Sequence, residues 1–225
     1  MNKNVTLLTL GLFLVLASCG PSHPNWKKKG AIKTVLILGN SITKHGPAPQ
    51  LGWLGNWGMA ASAADSDYVH RLAAEIHARD KTVSVNGTSL VGLEWQLGDY
   101  DFSKLDSFKT PDMLILRFGE NVNDTTVMSG GFIGNYDRAI RHIDPRDHAI
   151  KVVVGSFWAR PNTDRMLKEY ADKKGYIFVR NDDLLEDASN TARGLFGDKG
   201  VAEHPSDKGM RMIKDRIWEK IGRFF

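Results

Sequence analysis

Cysteine is nearly absent: Cys19 is the one cysteine in 225 residues, so no disulfide can form within the chain. No His-Cys cluster and no carboxylate pair at metal-ligand spacing occurs either, so no resident metal and no cofactor is expected. The formal net charge is only +4, and no basic stripe interleaved with aromatics is present, which argues against a nucleic-acid partner. Long hydrophobic runs are missing too. The most extended one, residues 5–16, falls short of the roughly 20 residues that a membrane-spanning helix needs. Preceded by Lys3 and followed by small residues, it has the composition of an export signal, and residues 1–18 are set apart from the fold on that ground.

The apolar run closes with Leu16-Ala17-Ser18-Cys19, which resembles the lipobox of bacterial lipoproteins. The resemblance implies that Cys19 is lipidated after cleavage just before it, which would tie the chain to a membrane through its N-terminal lipid. Gly20 follows, not Asp, so the expected location is the cell envelope, at the outer membrane. Residues 19–31 contain Pro, Ser, His and the run Lys27-Lys28-Lys29 with no apolar periodicity, and read as a tether. Residues 32–225 are enough for one well-buried domain.

Within that domain five apolar, β-branched runs stand out, at 34–39, 82–85, 113–118, 151–156 and 176–179. Three of them are almost continuously hydrophobic, as expected of strands covered on both faces of a parallel sheet. Helical periodicity fills the gaps, at 67–78, 135–143, 163–174 and 207–225; in the last, Met210, Ile213, Ile217 and Ile221 share one stripe behind Ser206 and Asp207 as caps. Strand and helix alternate, so the expected fold class is α/β: a three-layer α/β/α sandwich on a mainly five-stranded parallel sheet. Sites in such folds form beyond the carboxyl ends of the strands. Two long connections, 43–65 and 182–203, border that region, and long loops in compact domains are usually functional or mobile.

Three short blocks fall at those strand ends: Gly39-Asn40-Ser41 after the first strand, Gly119-Glu120-Asn121-Val122 after the third, and His204-Pro205 before the last helix. In this order the sequence resembles the SGNH/GDSL hydrolase superfamily over essentially everything after the tether. The resemblance implies a flavodoxin-like sandwich and ester hydrolysis. Asn40 and Val122 stand where that family usually has aspartates. Ser41 would be the nucleophile and His204 the base that takes its proton, since a serine hydroxyl is weakly nucleophilic until its proton can leave. The oxyanion donors would be the N–H of Ser41, the side-chain amide of Asn121 and, by the family's pattern, a glycine after strand two, with Gly92 fitting its spacing slightly better than Gly87.

One departure touches the chemistry. The family's third triad member would fall at Val201, which accepts no hydrogen bond. Glu203, Asp198 or a backbone carbonyl are the candidates to orient the imidazole instead, with a Ser41–His204 dyad as the preferred arrangement; an impaired site is the remaining option. Trp53 and Trp57, in the loop after Ser41, are candidates for stacking on sugar rings or, equally, for core packing; Trp95 and Trp158 are assigned to the core, and His45 and His70 to structural or surface roles. Glu120 is expected to fill a polar pocket. The combined expectation is a lipid-anchored serine esterase that removes acyl groups, acetyl foremost, from a carbohydrate or similar polar substrate outside the cytoplasm. The alternative is a catalytically impaired envelope lipoprotein that keeps the fold and binds a glycan or a partner.

Overall fold

The computed structural model describes residues 30–95, 100–108, 110–125, 127 and 131–225. The signal segment, Cys19 and all but the last two tether residues lie outside the described residues. Five strands, β1 (Thr34–Gly39), β2 (Ser84–Ser89), β3 (Met113–Arg117), β4 (Ile150–Val154) and β5 (Ile177–Val179), form one all-parallel sheet in the order β2-β1-β3-β4-β5. The helices are α1 (Tyr68–Arg79), α2 (Gly92–Trp95), α3 (Phe132–Ile143), α4 (Pro161–Lys174), α5 (Lys199–Ala202) and α6 (Asp207–Ile221). The architecture is the three-layer α/β/α sandwich that the alternation of strand and helix predicts.

Side chains alternate across each strand, so one β1 face sends Val35 and Ile37 toward α1 and α6, where they meet Leu72, Ile76, Ile213 and Ile217. The other face sends Leu36 and Leu38 into a second core with Phe132, Tyr136 and Ile140 of α3 and Leu167 of α4. Strands buried on both faces need this continuous hydrophobic character. Helix α1 starts at Asp67, whose carboxylate accepts the His70 N–H at 2.7 Å. Helix α6 starts at Ser206, whose hydroxyl accepts the Gly209 N–H at 3.3 Å.

Two elements depart most from the boundaries that the sequence predicts, with smaller shifts elsewhere, as at the start of α3. β2 lies further along than 82–85 and takes in Asn86, Gly87 and Thr88, which looked like a loop because polar residues and a glycine dominate there. It is an edge strand, half exposed, so pairing with β1 rather than apolar burial holds it in place. Gly87 therefore sits inside the sheet opposite Ile37. Helix α6 ends at Ile221, and the chain closes in a 3₁₀ turn over Gly222–Phe224.

The two long connections are ordered and meet each other. Loop 43–65 is pinned by antiparallel bridges between His45 and Trp57 and between Ala48 and Trp53. Its Ala48, Trp53, Met59 and Ala60 pack with Ala192 and Val201 of the second connection in a third, smaller apolar cluster. A bridge between Thr191 and Pro205 then fixes the entry to α6, with the Ala192 N–H donating to the His204 carbonyl at 2.9 Å. Gly209 makes this close approach feasible: a Cβ there would lie 2.2 Å from the Asn190 carbonyl oxygen. Gly209→Ala should therefore cost about 1–3 kcal/mol, as overpacking does elsewhere, measured by urea unfolding; an unchanged midpoint would show that this approach is not tight.

Candidate active site

Buried strand β1 ends at Gly39, where the chain must turn sharply beside β3. A Cβ on Gly39 would lie 2.1 Å from the Thr43 hydroxyl and 2.8 Å from the Arg117 carbonyl, so only glycine fits. Asn40 follows, fully buried, with its Oδ1 accepting the Ile42 N–H at 3.2 Å. The turn leaves Ser41 half-buried at the sheet's carboxyl edge. There its Oγ lies 2.8 Å from His204 Nε2, although 163 residues separate the two.

The other ring nitrogen settles what orients the imidazole. His204 Nδ1 lies 2.8 Å from the Gly200 carbonyl, and a carbonyl only accepts, so Nδ1 carries the proton and Nε2 presents its lone pair to Ser41. Neither carboxylate candidate takes part. Glu203 is held by Arg193 in a forked contact at 2.6 to 3.0 Å, and Asp198 caps α5 by accepting the Val201 N–H at 2.9 Å. Val201 itself is buried in the apolar cluster between the two long loops, where a carboxylate would lose its hydration without a partner. The backbone of the turn at α5 has taken over the orienting bond.

His204 is buried, and burial before any other cause pulls its pKa down to about 4, with His45 and Arg117 acting in the same direction and the Gly200 carbonyl opposing them. The imidazole is therefore neutral at pH 7, as a proton acceptor must be. Trp158 closes over the ring edge-to-face, its centroid 5.0 Å away, and its Nε1–H donates to the Glu203 carbonyl at 2.8 Å.

Behind the nucleophile turn lies a buried polar cluster that the sequence reading did not assemble. Arg117 interrupts the otherwise apolar β3, and its Nη2 donates to Glu120 Oε1 at 2.5 Å with both side chains fully buried. Asn40 donates to Glu120 Oε2 at 2.7 Å and receives Arg117 Nη1 at 3.3 Å. The Phe157 N–H adds a further donor to Glu120 at 2.9 Å. Glu120 thus grips the turn that carries Ser41 rather than merely filling a polar pocket. An amide at position 40 suits this place, because it donates to carboxylates and accepts from Arg117 at once, whereas an aspartate would add a third negative charge beside Glu120 and Glu94. Glu94, on α2, accepts the Gly119 N–H at 2.5 Å and the Asn121 side-chain N–H at 2.8 Å. Burial and the neighbouring Glu120 push its pKa up. A charged residue inside an apolar strand was the one available sign of this cluster; Glu94, in a short stretch without periodicity, carried none.

Ser41, Asn121 and His204 share a cavity of about 250 Å³, whose wall includes His45, Leu51, Met59, Val91, Trp95 and Val201. Val122 turns away into the second core. Gly92 opens α2 and does not line the cavity, where Ser89 and Val91 stand instead. Trp53 and Trp57 are not at the cavity. Trp53 is 3 % exposed, packs edge-to-face on Trp57 at 5.6 Å, and gives its N–H to the His45 carbonyl, while Trp57 gives its own to Ala61. Both rings stiffen the loop from inside because its glycines and prolines leave few other apolar anchors. The aromatic at the mouth is Trp95, assigned to the core by the sequence but 65 % exposed. His45 also lines the cavity, while His70 sits beside Asp67 on α1. Among the described residues no cluster of side chains is built to hold a metal ion.

No protein-family model and no curated protein matches the sequence. Solved structures do resemble the fold. A two-domain esterase active on acetylated mannans, crystallised with mannopentaose, superposes with a TM-score of 0.57 at 15 % identity, over 85 % of this chain and 50 % of that one. The chain thus spans half the length of that enzyme. A member of the lipolytic G-D-S-L family from Veillonella parvula gives 0.55 at 14 % identity, over 85 % of this chain and 99 % of the other. A GDSL-like lipase described as putative, from Bacteroides uniformis, gives 0.54 at 15 %, over 85 % and 96 %. At these identities the likeness establishes the fold alone: the domain shares the architecture of these solved proteins.

The imidazole geometry has a direct spectroscopic consequence. Nitrogen-15 NMR of His204 should show the neutral Nδ1–H tautomer at pH 6 and a titration midpoint near 4, well below the ordinary 6.5. The unfolded chain binds this proton more readily, so the contribution to stability is full above pH 6.5 and fades as the pH falls toward 4. A midpoint at or above 6.5 would show the ring to be solvated or paired with a carboxylate.

Proposed function

We propose that the domain is a serine esterase that removes acetyl or similarly short acyl groups from a carbohydrate or another polar alcohol. The observation that carries this reading is the 2.8 Å contact between Ser41 Oγ and His204 Nε2, with the far ring nitrogen held by Gly200, at the wall of a small cavity. Ser41 Oγ attacks the ester carbonyl while Nε2 takes the hydroxyl proton, forming a tetrahedral oxyanion and an imidazolium. The backbone N–H of Ser41 and the amide of Asn121 are the donors assigned to the oxyanion. Collapse breaks the bond to the alcohol, which leaves with the proton from Nε2. Water then enters, gives its proton to Nε2, attacks the acyl-serine and releases the acid, with the proton returned to Ser41.

A cavity of about 250 Å³ is small beside typical ligand pockets of roughly 300–1,000 Å³, which favours a short acyl group. Exposed Trp95 at its rim offers an aromatic face to a sugar ring. The printed activity of the acetyl-mannan esterase, whose fold is shared, lends the carbohydrate reading its support. The Leu16-Ala17-Ser18-Cys19 segment supports an envelope location with a lipid anchor at Cys19, at the outer membrane. A carbonyl orients the imidazole but stabilises its charge less than a carboxylate would. Loss of the acid costs about 10⁴ in serine proteases, so a modest turnover is expected here. The second reading, a non-catalytic envelope protein that binds a glycan or partner, is favoured by Val201 alone.

A fluorophosphonate probe should label the folded protein at Ser41, and Ser41→Ala should abolish the label; a folded sample that stays unlabelled would favour the binder. Among p-nitrophenyl esters, kcat/KM should fall at least about tenfold from acetate to octanoate, as the cavity cannot seat the longer chain. Asn121→Ala should lower kcat about 10²-fold with an unchanged unfolding midpoint; full activity would remove Asn121 from the oxyanion site.

A further inference from the structure

The side-chain amide of Asn121 carries two N–H bonds. One donates to Glu94 Oε2 at 2.8 Å, and Asn121 also lines the cavity that holds Ser41 and His204. An unrestrained asparagine amide turns broadly about its last torsion, so an oxyanion donor of this type needs a second contact to fix its plane. Glu94 is itself held firmly. It is 1 % exposed, and its Oε1 receives the Gly119 N–H at 2.5 Å. Helix α2 brings this carboxyl across from the carboxyl end of β2 to the block that follows β3.

We propose that Glu94 is a positioning residue for the oxyanion site: it takes one N–H of the Asn121 amide and thereby aims the other at the substrate oxygen. The assignment rests on the esterase reading for its catalytic consequence, but not for its geometry. Glu94 touches no substrate and acts through Asn121. Burial and then Glu120 raise the proton affinity of Glu94, while the N–H bonds from Asn121 and Gly119 oppose that shift. The Asn40 contacts of Glu94 and Glu120 also tie the oxyanion block to the nucleophile turn, so both partners of the reacting carbonyl share one support.

Glu94→Gln tests this, because its amide keeps one accepting oxygen and sets an NH₂ against the N–H of either Gly119 or Asn121, so it cannot hold both. With p-nitrophenyl acetate as probe, kcat should fall about tenfold or more with KM nearly unchanged. In the Asn121→Ala background the same change should cost no more than about twofold, as coupled positions are not additive. A merely structural role would lower kcat alike in both backgrounds, and that result would overturn the proposal. Glu94→Asp keeps an acceptor but shortens its reach by one methylene, and should give the same pattern if the Gln variant does not fold. Proton exchange supplies a readout independent of turnover. The two Asn121 side-chain protons, assigned by their loss in Asn121→Ala, should exchange at different rates in the native protein and at similar rates in the Glu94 variants. Should the native protein hydrolyse no ester and take no fluorophosphonate, the esterase reading falls, and the exchange rates alone decide whether Glu94 holds the amide.

Discussion

The buried ion pair between Arg117 and Glu120 is the constraint around which the carboxyl end of the sheet is organised. Arg117 belongs to β3, next to the nucleophile strand, and a guanidinium with no exposed surface must be matched by acceptors. Glu120 Oε1 is one, from the same chain segment, and Asn40 Oδ1 is another, from the end of β1. Desolvating two charges is costly, and such pairs seldom add net stability over a well-packed apolar core. What this one provides is geometry. It ties the end of β1 to the block after β3, and that arrangement sets Ser41 and Asn121 beside the same cavity.

A second constraint comes from the two long loops. Their shared apolar cluster encloses Val201, which rules out an acid three residues before the imidazole and leaves the Gly200 carbonyl to hold Nδ1. The tautomer is thereby chosen by backbone geometry. Burial keeps the ring neutral, suited to accept a proton, while making the imidazolium costly. On the esterase reading, such a site keeps nucleophile activation and gives up part of the charge stabilisation that a carboxylate adds. Orientation and charge stabilisation, often carried by one residue, are separate here.

Much of this was legible from residue patterns, and the gaps have physical reasons. Continuous apolar runs announce strands covered on both faces, so β1, β3 and β4 were evident, whereas the edge strand β2, held by pairing and rich in Ser, Asn and Thr, was misplaced. Ser41, Asn121 and His204, picked out by their blocks at strand ends, line one cavity. Of the candidates to orient His204, the backbone carbonyl does so, while Glu203 serves Arg193 and Asp198 a helix cap, because sequence proximity says nothing of side-chain direction. Among the tryptophans the departure is Trp95, expected in the core and 65 % exposed. A loop rich in glycine and proline needs internal anchors, so Trp53 and Trp57 went inside, and Trp95, at the end of a one-turn helix, was left outside. Glu94 escaped notice because its role depends on a crossing between strand ends that no local pattern encodes.

Everything converges on a hydroxyl, an amide and an imidazole arranged round one carbonyl-sized space. The measurement that tests this most directly is a crystal structure of the domain after reaction with a small alkyl phosphonate ester. The account predicts phosphorus bonded to Ser41 Oγ, its oxygen within hydrogen-bond distance of the Ser41 N–H and the Asn121 amide, and His204 Nδ1 still on the Gly200 carbonyl. An adduct whose oxygen points away from Asn121, or an imidazole that has left Gly200 for a carboxylate, would contradict it.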